Sequence, residues 1–331
     1  MKILVYSSVF YPNVGGIENL ALVLIEQFMK AGHEVKVITE QKQDPSLEPK
    51  PFEIVESRNV LHQIRLFFWS DLVFMPNITL KGIWLFFLNP FKRLIISHND
   101  FHIAYHSRFR AWIKLFVIRL ASRNIAVSHS IADYFGFRAE VIHNCYNDAV
   151  FRIYEDESRD KDFVFVGRLV SSKGCDSLLD AFNLLEGNFG LTIIGEGPES
   201  ENIRAKISAF GLQDRVKMIG FRKGEELARI LNRHRVMVVP AVGWEGFGLV
   251  AIEGLACGCK VVVSQAGGLP EAVDGFGLTY PMGDADALIK QMKIAISTSE
   301  PIGNEEDKRK FLADHRSAEV AKKYLKIFSE K

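Results

Sequence analysis

The sequence has no long hydrophobic run, little excess charge and no cysteine spacing that suits a metal site. No stretch reaches the roughly 18 apolar residues that a membrane-spanning helix needs, because the apolar run 82–88 stops at Asn89-Pro90. The formal net charge of +1 argues against a nucleic-acid-binding protein. The four cysteines are predicted to be reduced packing residues, which favours a cytoplasmic protein.

Several catalytic motifs are also missing. The three-glycine fingerprint of dinucleotide-binding enzymes is absent, which disfavours a dinucleotide oxidoreductase. No aspartate cluster of the kind that chelates magnesium or manganese is present, so we expect neither a metal ion nor a bound cofactor. The apolar segment 1–8 lacks a small-residue cleavage site and is predicted to form a first strand, not a signal peptide.

The length and the residue pattern predict two α/β domains. A chain of 331 residues exceeds one ordinary core, and its 48% apolar content can fill two. Short apolar strand candidates alternate with amphipathic helices, which is the pattern of parallel sheets with crossover helices. We predict domains at 1–152 and 153–304, with the charged run 154–161 as their linker. A C-terminal helix is expected within 305–331, and the first domain is its candidate packing partner.

The segment 245–253 carries most of the functional information, because it joins acids and glycines at the start of a predicted helix. It follows the strand candidate 236–240, and helix-start N–H groups suit a phosphate. The carboxylate of Glu253 could accept hydrogen bonds from vicinal hydroxyls, as on a ribose. Exposure on the helix surface is the alternative for Glu253. The candidate ligand-binding residues of this segment are Glu245, Gly246, Phe247, Gly248, Leu249, Val250 and Glu253.

A second candidate site follows the strand that ends near Val166. Arg168 and Lys173 come directly after that strand, where ligands of open parallel sheets bind. Arginine can hold a diphosphate with two hydrogen bonds and lysine adds a mobile charge, although both could be ordinary surface cations. Cations for phosphates and carboxylates for hydroxyls together predict a nucleotide sugar as the ligand.

Other candidates are weaker by themselves. Gly15 and Gly16 open the first long helix and would let the backbone approach a ligand, or would form a plain turn. His98 ends a strand candidate and would face a ligand crevice, or would be structural. The turn at Gly195 and the residues Phe221 and Arg222 could border a nucleobase.

In combination these residues resemble family 4 of the retaining glycosyltransferases. The resemblance spans nearly the whole chain and is densest over 163–283, where the turns at 167–174 and 195–198, the paired-glutamate segment 245–253 and the stretch 266–271 follow in the family's order. In the first half, Gly15-Gly16 before Glu18, His98, Ser128 and Asn144 match family positions. Lys260 is a departure, because the family commonly carries proline there.

The resemblance implies the GT-B fold, with two Rossmann-like domains facing across a cleft. Arg168 and Lys173 would hold the donor diphosphate with the amides of Gly16 and Leu249. Glu253 would bind the ribose, and Arg222 would border the base. Glu245 would bind the transferred hexose with the amides of Phe247 and Gly248. His98 would contact the sugar or the acceptor-side reacting centre, so the catalytic candidates are Glu245, His98, Arg168 and Lys173.

The expected activity is transfer of a hexose from a nucleotide diphosphate sugar, with UDP-glucose or another UDP-hexose as the default donor, to a glycan or lipid-linked acceptor in polysaccharide or glycolipid synthesis. Retention of configuration is implied by the family. The alternatives are a nucleotide-sugar epimerase of the same fold and a non-catalytic nucleotide-sugar-binding subunit. The epimerase would invert a sugar without an acceptor, and the subunit would bind donor without transfer.

The segment 101–123 carries five basic residues and, after Asp100, no acid. Its apolar residues Phe109, Trp112, Ile113, Phe116 and Leu120 share one helical face. Two interpretations remain open: a helix that attaches the protein peripherally to an inner membrane leaflet, and a helix packed on two sides inside the domain.

Overall fold

The computed structural model describes residues 1–10, 16–42, 50–101, 108–136 and 138–330. Tertiary contacts divide the chain into two compact units. Unit 1 comprises Met1–Cys145 and Ser317–Lys331, and unit 2 comprises Tyr146–Arg316.

Unit 1 is built on a seven-stranded sheet whose strands are all parallel. The strands are β1 (Lys2–Ser7), β2 (Glu34–Thr39), β3 (Glu53–Glu56), β4 (Leu72–Met75), β5 (Arg93–His98), β6 (Arg123–Ala126) and β7 (Glu140–Val141). Their order across the sheet is β3-β2-β1-β4-β5-β6-β7. The chain therefore reverses its direction of winding between β1 and β4, which is the Rossmann arrangement.

Helices cover both faces of this sheet. They are α1 (Gly16–Lys30), α2 (Val60–Trp69), a 3-10 helix (Leu80–Phe87), α3 (Arg108–Leu120), α4 (His129–Phe135) and α12 (Ser317–Ser329). On one face, α2, the 3-10 helix and α3 contribute to one buried apolar cluster, with Phe67, Leu85 and Ile118 among its members. On the other face, the ring of Phe328 in α12 lies 5.3 Å from those of Phe28 and Phe74.

Unit 2 repeats the design with a six-stranded parallel sheet. The strands are β8 (Lys161–Val166), β9 (Leu191–Ile194), β10 (Val216–Met218), β11 (His234–Val239), β12 (Lys260–Ser264) and β13 (Leu278–Tyr280), in the order β10-β9-β8-β11-β12-β13. The helices are a 3-10 turn (Ser171–Lys173), α5 (Cys175–Asn183), α6 (Ser200–Ala209), α7 (Gly224–Asn232), α8 (Leu249–Ala256), α9 (Leu269–Val273), α10 (Ala285–Ser297) and α11 (Glu305–Asp314). The winding reverses between β8 and β11.

The predicted α/β class and the two Rossmann-like sheets are confirmed. The strand candidates 1–8 and 236–240 correspond to β1 and β11 and agree with them within two residues at both ends. The sequence analysis missed β3, because this strand at the sheet edge has four residues and only Val55 is buried. It also missed α2 and α4, and it expected one C-terminal helix where the structure has α11 and α12.

The predicted interdomain linker 154–161 is instead packed on unit 2. The side chain of Asn232 accepts a hydrogen bond from the backbone N–H of Tyr154, 2.9 Å away. Glu157 forms ion pairs with Arg229 and Arg233. Arg159 donates hydrogen bonds to the carbonyl oxygens of His234 in β11 and of Cys257, directly after α8. Its charged composition therefore reflects ion pairing to the unit surface and not a solvated connection.

The observed units also differ from the predicted domains at their ends. Unit 2 begins at Tyr146, before the predicted boundary at 152–153, and it contains α11. Unit 1 contains α12, whose Tyr324 hydroxyl is hydrogen-bonded to Ser97 at 3.0 Å.

Candidate functional site

The candidate site of unit 2 lies at the carboxyl edge of its sheet, beside the point where the winding reverses. The bend 167–174 follows β8, and the loop 240–248 follows β11. These two strands are neighbours in the sheet. In open parallel sheets, ligands bind outside the carboxyl ends of the strands at this reversal point.

Backbone hydrogen bonds connect the successive loops of this edge. Leu169 donates to the carbonyl of Glu196 in the loop after β9. Val242 and Gly243, after β11, both donate to the carbonyl of Ser172 at 3.0 Å. Gly268, after β12, donates to the carbonyl of Glu245 at 2.8 Å. Because each loop is bonded to the next, the side chains that they carry are held on one rigid platform.

Lys173 and Glu245 meet on this platform, with Lys173 Nζ 2.5 Å from Glu245 Oε1. Their side chains are 31% and 18% exposed, so the pair is partly screened from water yet reachable by a ligand. A cation and a carboxylate that are 72 positions apart in sequence thus form one polar centre at the reversal point.

Close packing fixes the backbone of Glu245. Gly267 has φ +60°, and a Cβ at this position would lie 2.2 Å from the carbonyl oxygen of Glu245. Only glycine allows the β12 loop to approach so closely. Gly248 adopts φ +104° as the N-cap of α8 and carries no side chain to satisfy the first-turn amides. The amides of Leu249 and Val250 therefore lie at a helix start without a side-chain cap, and their contact with an anion stays a prediction.

Glu253 lies one turn further along α8 and is partly buried. Burial raises the pKa of its carboxyl to about 8. At neutral pH the group is therefore largely protonated and can donate one hydrogen bond as well as accept. The sequence analysis treated Glu253 as an ionised acceptor, and its environment favours the neutral form in the ligand-free protein.

The remaining residues of the glutamate segment divide into buried and partly exposed ones. The ring of Phe247 is buried and stacks on His315 at 5.9 Å, so its side chain anchors the loop and only its backbone could serve a ligand. Gly246, Leu249 and Val250 are partly exposed.

The turn after β9 borders the same edge. Gly195 has φ +141° and donates to the carbonyl of Gly220 at 3.0 Å. Phe221 is 45% exposed, and Arg222 is paired with Glu226 on α7 at 2.8 Å. An exposed ring beside a guanidinium is suited to stacking on a planar base.

Arg168 is exposed on the bend after β8. It shares that bend with Lys173. Its proposed contact with a ligand remains a prediction.

The residues predicted in the first half lie on unit 1. Gly16 begins α1 after β1, while Gly15 falls outside the described residues. His98 ends β5 at the carboxyl edge of the sheet, as predicted, but it is fully buried. Its Nε2 lies 3.0 Å from Asn124 Oδ1, and its ring packs on Phe135 at 4.8 Å. These contacts fix the imidazole within unit 1.

Three positioning residues were missed by the sequence analysis. Ser172 supplies the carbonyl that joins the β8 and β11 loops, Gly267 seats Glu245, and Asn124 orients His98. Only Gly267 had a signal in the sequence, since it lies in the glycine pair of 266–271. Backbone carbonyl contacts leave no mark in a single sequence.

Two parallel Rossmann-like sheets, with the Lys173–Glu245 ion pair at the reversal point of the second sheet, define an α/β protein of the GT-B type. A model of the family Glycosyl transferases group 1 matches residues 147–316, just over half of the chain. The chain belongs to this family.

Curated relatives support the assignment over parts of their length. An uncharacterized glycosyltransferase of Methanocaldococcus jannaschii is 33% identical over 190 residues, which are 56% of this chain and 50% of the relative. The amylovoran biosynthesis glycosyltransferase of Erwinia amylovora is 33% identical over 133 residues, or 37% of this chain and 33% of the relative. These alignments span half or less of each of the two relatives.

Solved structures resemble the fold over nearly the full chain. A crystal structure of Anabaena HepE in complex with UDP and glucose has a TM-score of 0.84 at 19% identity and covers 99% of both chains. Sucrose-phosphate synthase of Thermosynechococcus elongatus has a TM-score of 0.80 at 20% identity and covers 99% of this chain and 98% of the other. Both likenesses are of the fold.

Proposed function

We propose that this protein is a retaining glycosyltransferase that moves a hexose from a nucleotide diphosphate sugar, with a UDP-hexose such as UDP-glucose as donor, to a glycan or lipid-linked acceptor. The observation that carries the proposal is the Lys173–Glu245 pair at the reversal point, 2.5 Å between Nζ and Oε1. A ligand that separates this ion pair has to offer a new partner to each side chain. A phosphate would pair with Lys173, and a hydroxylated sugar would pair with Glu245.

In this proposal the donor replaces the internal ion pair. A phosphate oxygen becomes the partner of Lys173, and Glu245 accepts hydrogen bonds from hexose hydroxyls. The amides of Leu249 and Val250 hold the diphosphate at the start of α8, where the helix dipole favours negative charge. Glu253 takes the ribose hydroxyls, and its neutral form can both donate and accept there.

The chemical step breaks the bond between the sugar and the phosphate, so negative charge grows on the leaving diphosphate. Lys173, Arg168 and the α8 amides stabilise that charge more in the transition state than in the ground state. These groups can neutralise the leaving group without a metal ion, and we propose metal-independent transfer. Activity that persists in excess EDTA supports this part, whereas activity restored only by magnesium or manganese removes it.

The names of similar proteins guide the choice of substrates. HepE was solved with UDP and glucose, which supports a uridine diphosphate hexose. The relatives include an amylovoran biosynthesis enzyme and a phosphatidylinositol N-acetylglucosaminyltransferase subunit of Arabidopsis thaliana, 21% identical over 98% of this chain and 80% of the relative. Glycan and lipid-linked acceptors are therefore the classes to test first.

The decisive experiment compares purified variants for UDP-glucose binding, slow hydrolysis and transfer. Lys173→Ala and Glu245→Ala are each expected to lower transfer at least tenfold with the fold intact, because each removes half of the polar centre. Lys290→Ala, an exposed lysine on α10, is the matched control and should keep full activity. Near-normal rates in the first two variants would exclude these residues from the site. Donor epimerisation without acceptor, or binding with neither hydrolysis nor transfer, would favour the two alternative functions.

We also propose that unit 1 attaches to an anionic membrane surface, which would bring the protein to a lipid-linked acceptor. Residues 57–132 hold ten Lys or Arg and two Asp, although the whole chain is nearly neutral. The helices α2 and α3 and the intervening 3-10 helix lie on one face of the sheet. Large apolar side chains on and beside these helices are exposed: Leu61, Phe68, Phe87, Leu88, Phe91, Trp112, Phe116 and Leu120.

The exposed set includes three residues of the predicted apolar face of α3. Among the side chains of α3 that the structure describes, 111–120, the buried ones are Lys114, Val117 and Ile118, which favours packing on one side. Basic charge beside exposed aromatic rings is the composition of surfaces that bind anionic lipid. None of the helices that the structure describes is both long enough and apolar enough to cross a bilayer.

Liposome flotation tests the membrane proposal. Vesicles with anionic lipid should carry the wild-type chain at low salt, and the double variant Phe87→Asp/Phe91→Asp should stay in solution. Leu184→Asp changes a side chain of unit 2 that is 63% exposed and should float like the wild type. Absence of wild-type flotation on anionic vesicles would refute the attachment and leave the transfer proposal intact.

A further inference from the structure

A cavity of about 440 Å³ lies at the opposite edge of the unit 2 sheet from Lys173 and Glu245. It is reached at the amino-terminal ends of β11 and β12, near Arg235 and Lys260. A strand of six residues spans roughly 20 Å, so this cavity is separate from the candidate donor site.

The charges of the lining are strongly one-sided. Four cations, Arg159, Arg235, Lys260 and Lys308, face one carboxylate, Glu305. The sequence analysis singled out Lys260 as a departure from the family pattern, and the glycosyltransferase proposal gives it no role. A cavity with this balance suits an anion.

The cations are held in place by backbone carbonyl groups. Lys260 donates to the carbonyl oxygen of Thr298, and Arg235 donates to that of Ile296 at 2.7 Å, both at the end of α10. Arg159 donates to the carbonyl of Cys257 at 2.8 Å, at the end of α8. An ammonium has three N–H donors and a guanidinium has five. The contacts to carbonyls therefore orient the cations without using all of their donors.

The positive charge at the cavity is only partly compensated. Burial lowers the pKa of Lys260, and the nearby Arg235 lowers it further, while Glu300 acts in the opposite direction. Two of the other cations form ion pairs, Arg235 with Asp162 and Lys308 with Glu305, each at 3.6 Å. An anion between Lys260 and Arg235 would relieve their mutual repulsion.

We propose that this cavity is a second ligand site, which binds a small phosphorylated molecule with its phosphate between Lys260 and Arg235. The volume falls within the range of small-molecule sites, roughly 300–1,000 Å³. Phe276, Pro301 and Ile302 supply an apolar wall for the body of the ligand. The ring of Phe276 packs on Phe311 of α11 at 5.4 Å, so occupancy also bears on how α11 is held.

Calorimetric titration of the full chain with inorganic pyrophosphate tests the proposal. The titration is done in Lys173→Ala, which removes one cation of the candidate donor site and should weaken pyrophosphate binding there. One binding site should remain in this variant, and adding Lys260→Gln should weaken it at least tenfold. Equal affinity in the single and double variants would overturn the proposal, and so would the absence of binding to Lys173→Ala up to about 5 mM, beyond which affinity is negligible.

Two further variants separate binding from stability. Lys260→Gln also loses its contact with Thr298, whereas Lys308 is paired with Glu305 on its own helix, so Lys308→Gln spares the end of α10. In the Lys173→Ala background, Lys308→Gln should weaken pyrophosphate binding at least threefold. Lys293→Gln, on the same α10 and paired with Glu186, is the control and should change nothing. Unaltered binding in Lys308→Gln would count against the site. These titrations measure binding and no sugar transfer, so their result can be interpreted even if the glycosyltransferase proposal fails.

Discussion

Replacing Glu253 by glutamine should make the stability of unit 2 less sensitive to rising pH. Burial raises the pKa of this carboxyl from 4.5 to about 8 in the folded protein. The folded state therefore holds a proton that the unfolded state releases between these two values. The stability of the folded state falls as pH rises from about 4.5 to about 8 and then levels off, because the folded state binds more protons than the unfolded state over this range. Glutamine has the shape of the neutral acid and no charge to bury, so the variant should lack this decline.

The structure sets the size of the effect. A rise from 4.5 to about 8 corresponds to at most about 5 kcal/mol, at roughly 1.4 kcal/mol for each tenfold change in proton affinity. Glu253 keeps some exposure, and charges in proteins are screened as if the dielectric constant were about 20. We therefore expect a relative gain of about 1–3 kcal/mol for Glu253→Gln at pH 9 compared with pH 5.

Hydrogen exchange is the suitable assay, because two compact units do not justify a single two-state transition. Protection factors of the amides in α8 report the local free energy of opening at each pH. Glu201→Gln, a carboxyl group on α6 whose side chain is 89% exposed, serves as the control and should follow the wild type. Identical pH profiles for wild type and Glu253→Gln would refute the argument that burial holds this group neutral.

Three further predictions concern the site and the core. UDP affinity at pH 6.5, measured by calorimetry, should change less than about threefold in Glu253→Gln and fall at least tenfold in Glu253→Ala, since only the amide keeps a donor and an acceptor. Gly195→Ala would place a Cβ 1.8 Å from the carbonyl oxygen of Gly167 and should abolish the thermal shift induced by UDP. Gly211→Ala has open space and should retain it despite its own φ of +65°. Phe328→Ala should destabilise unit 1 by about 3–5 kcal/mol in urea unfolding, because a buried ring between Phe28 and Phe74 is lost; a change below about 1 kcal/mol would contradict this packing.

The candidate site could be predicted from the sequence where a charged residue closely follows an apolar strand candidate. Lys173 and Glu245 follow apolar strand candidates, and the ends of parallel strands meet at one edge of a sheet, so their convergence could be expected. The neutral state of Glu253 could not be, because it depends on which groups surround the carboxyl. The burial of His98 was equally hidden, since a histidine at a strand end looks the same in sequence whether it faces solvent or a neighbouring ring.

The sequence by itself determined the α/β class through its alternation of strand and helix patterns. Its glycines and charged residues determined which strand ends are candidates for a ligand site. Tertiary structure alone decided the rest. It joined Ser317–Lys331 to unit 1, packed the charged run 154–161 on unit 2, and gathered Arg159, Arg235 and Lys260 around one cavity. The physical reason is that hydrophobic periodicity is a local property of the chain, whereas burial, ion pairing and packing partners depend on residues far away in sequence.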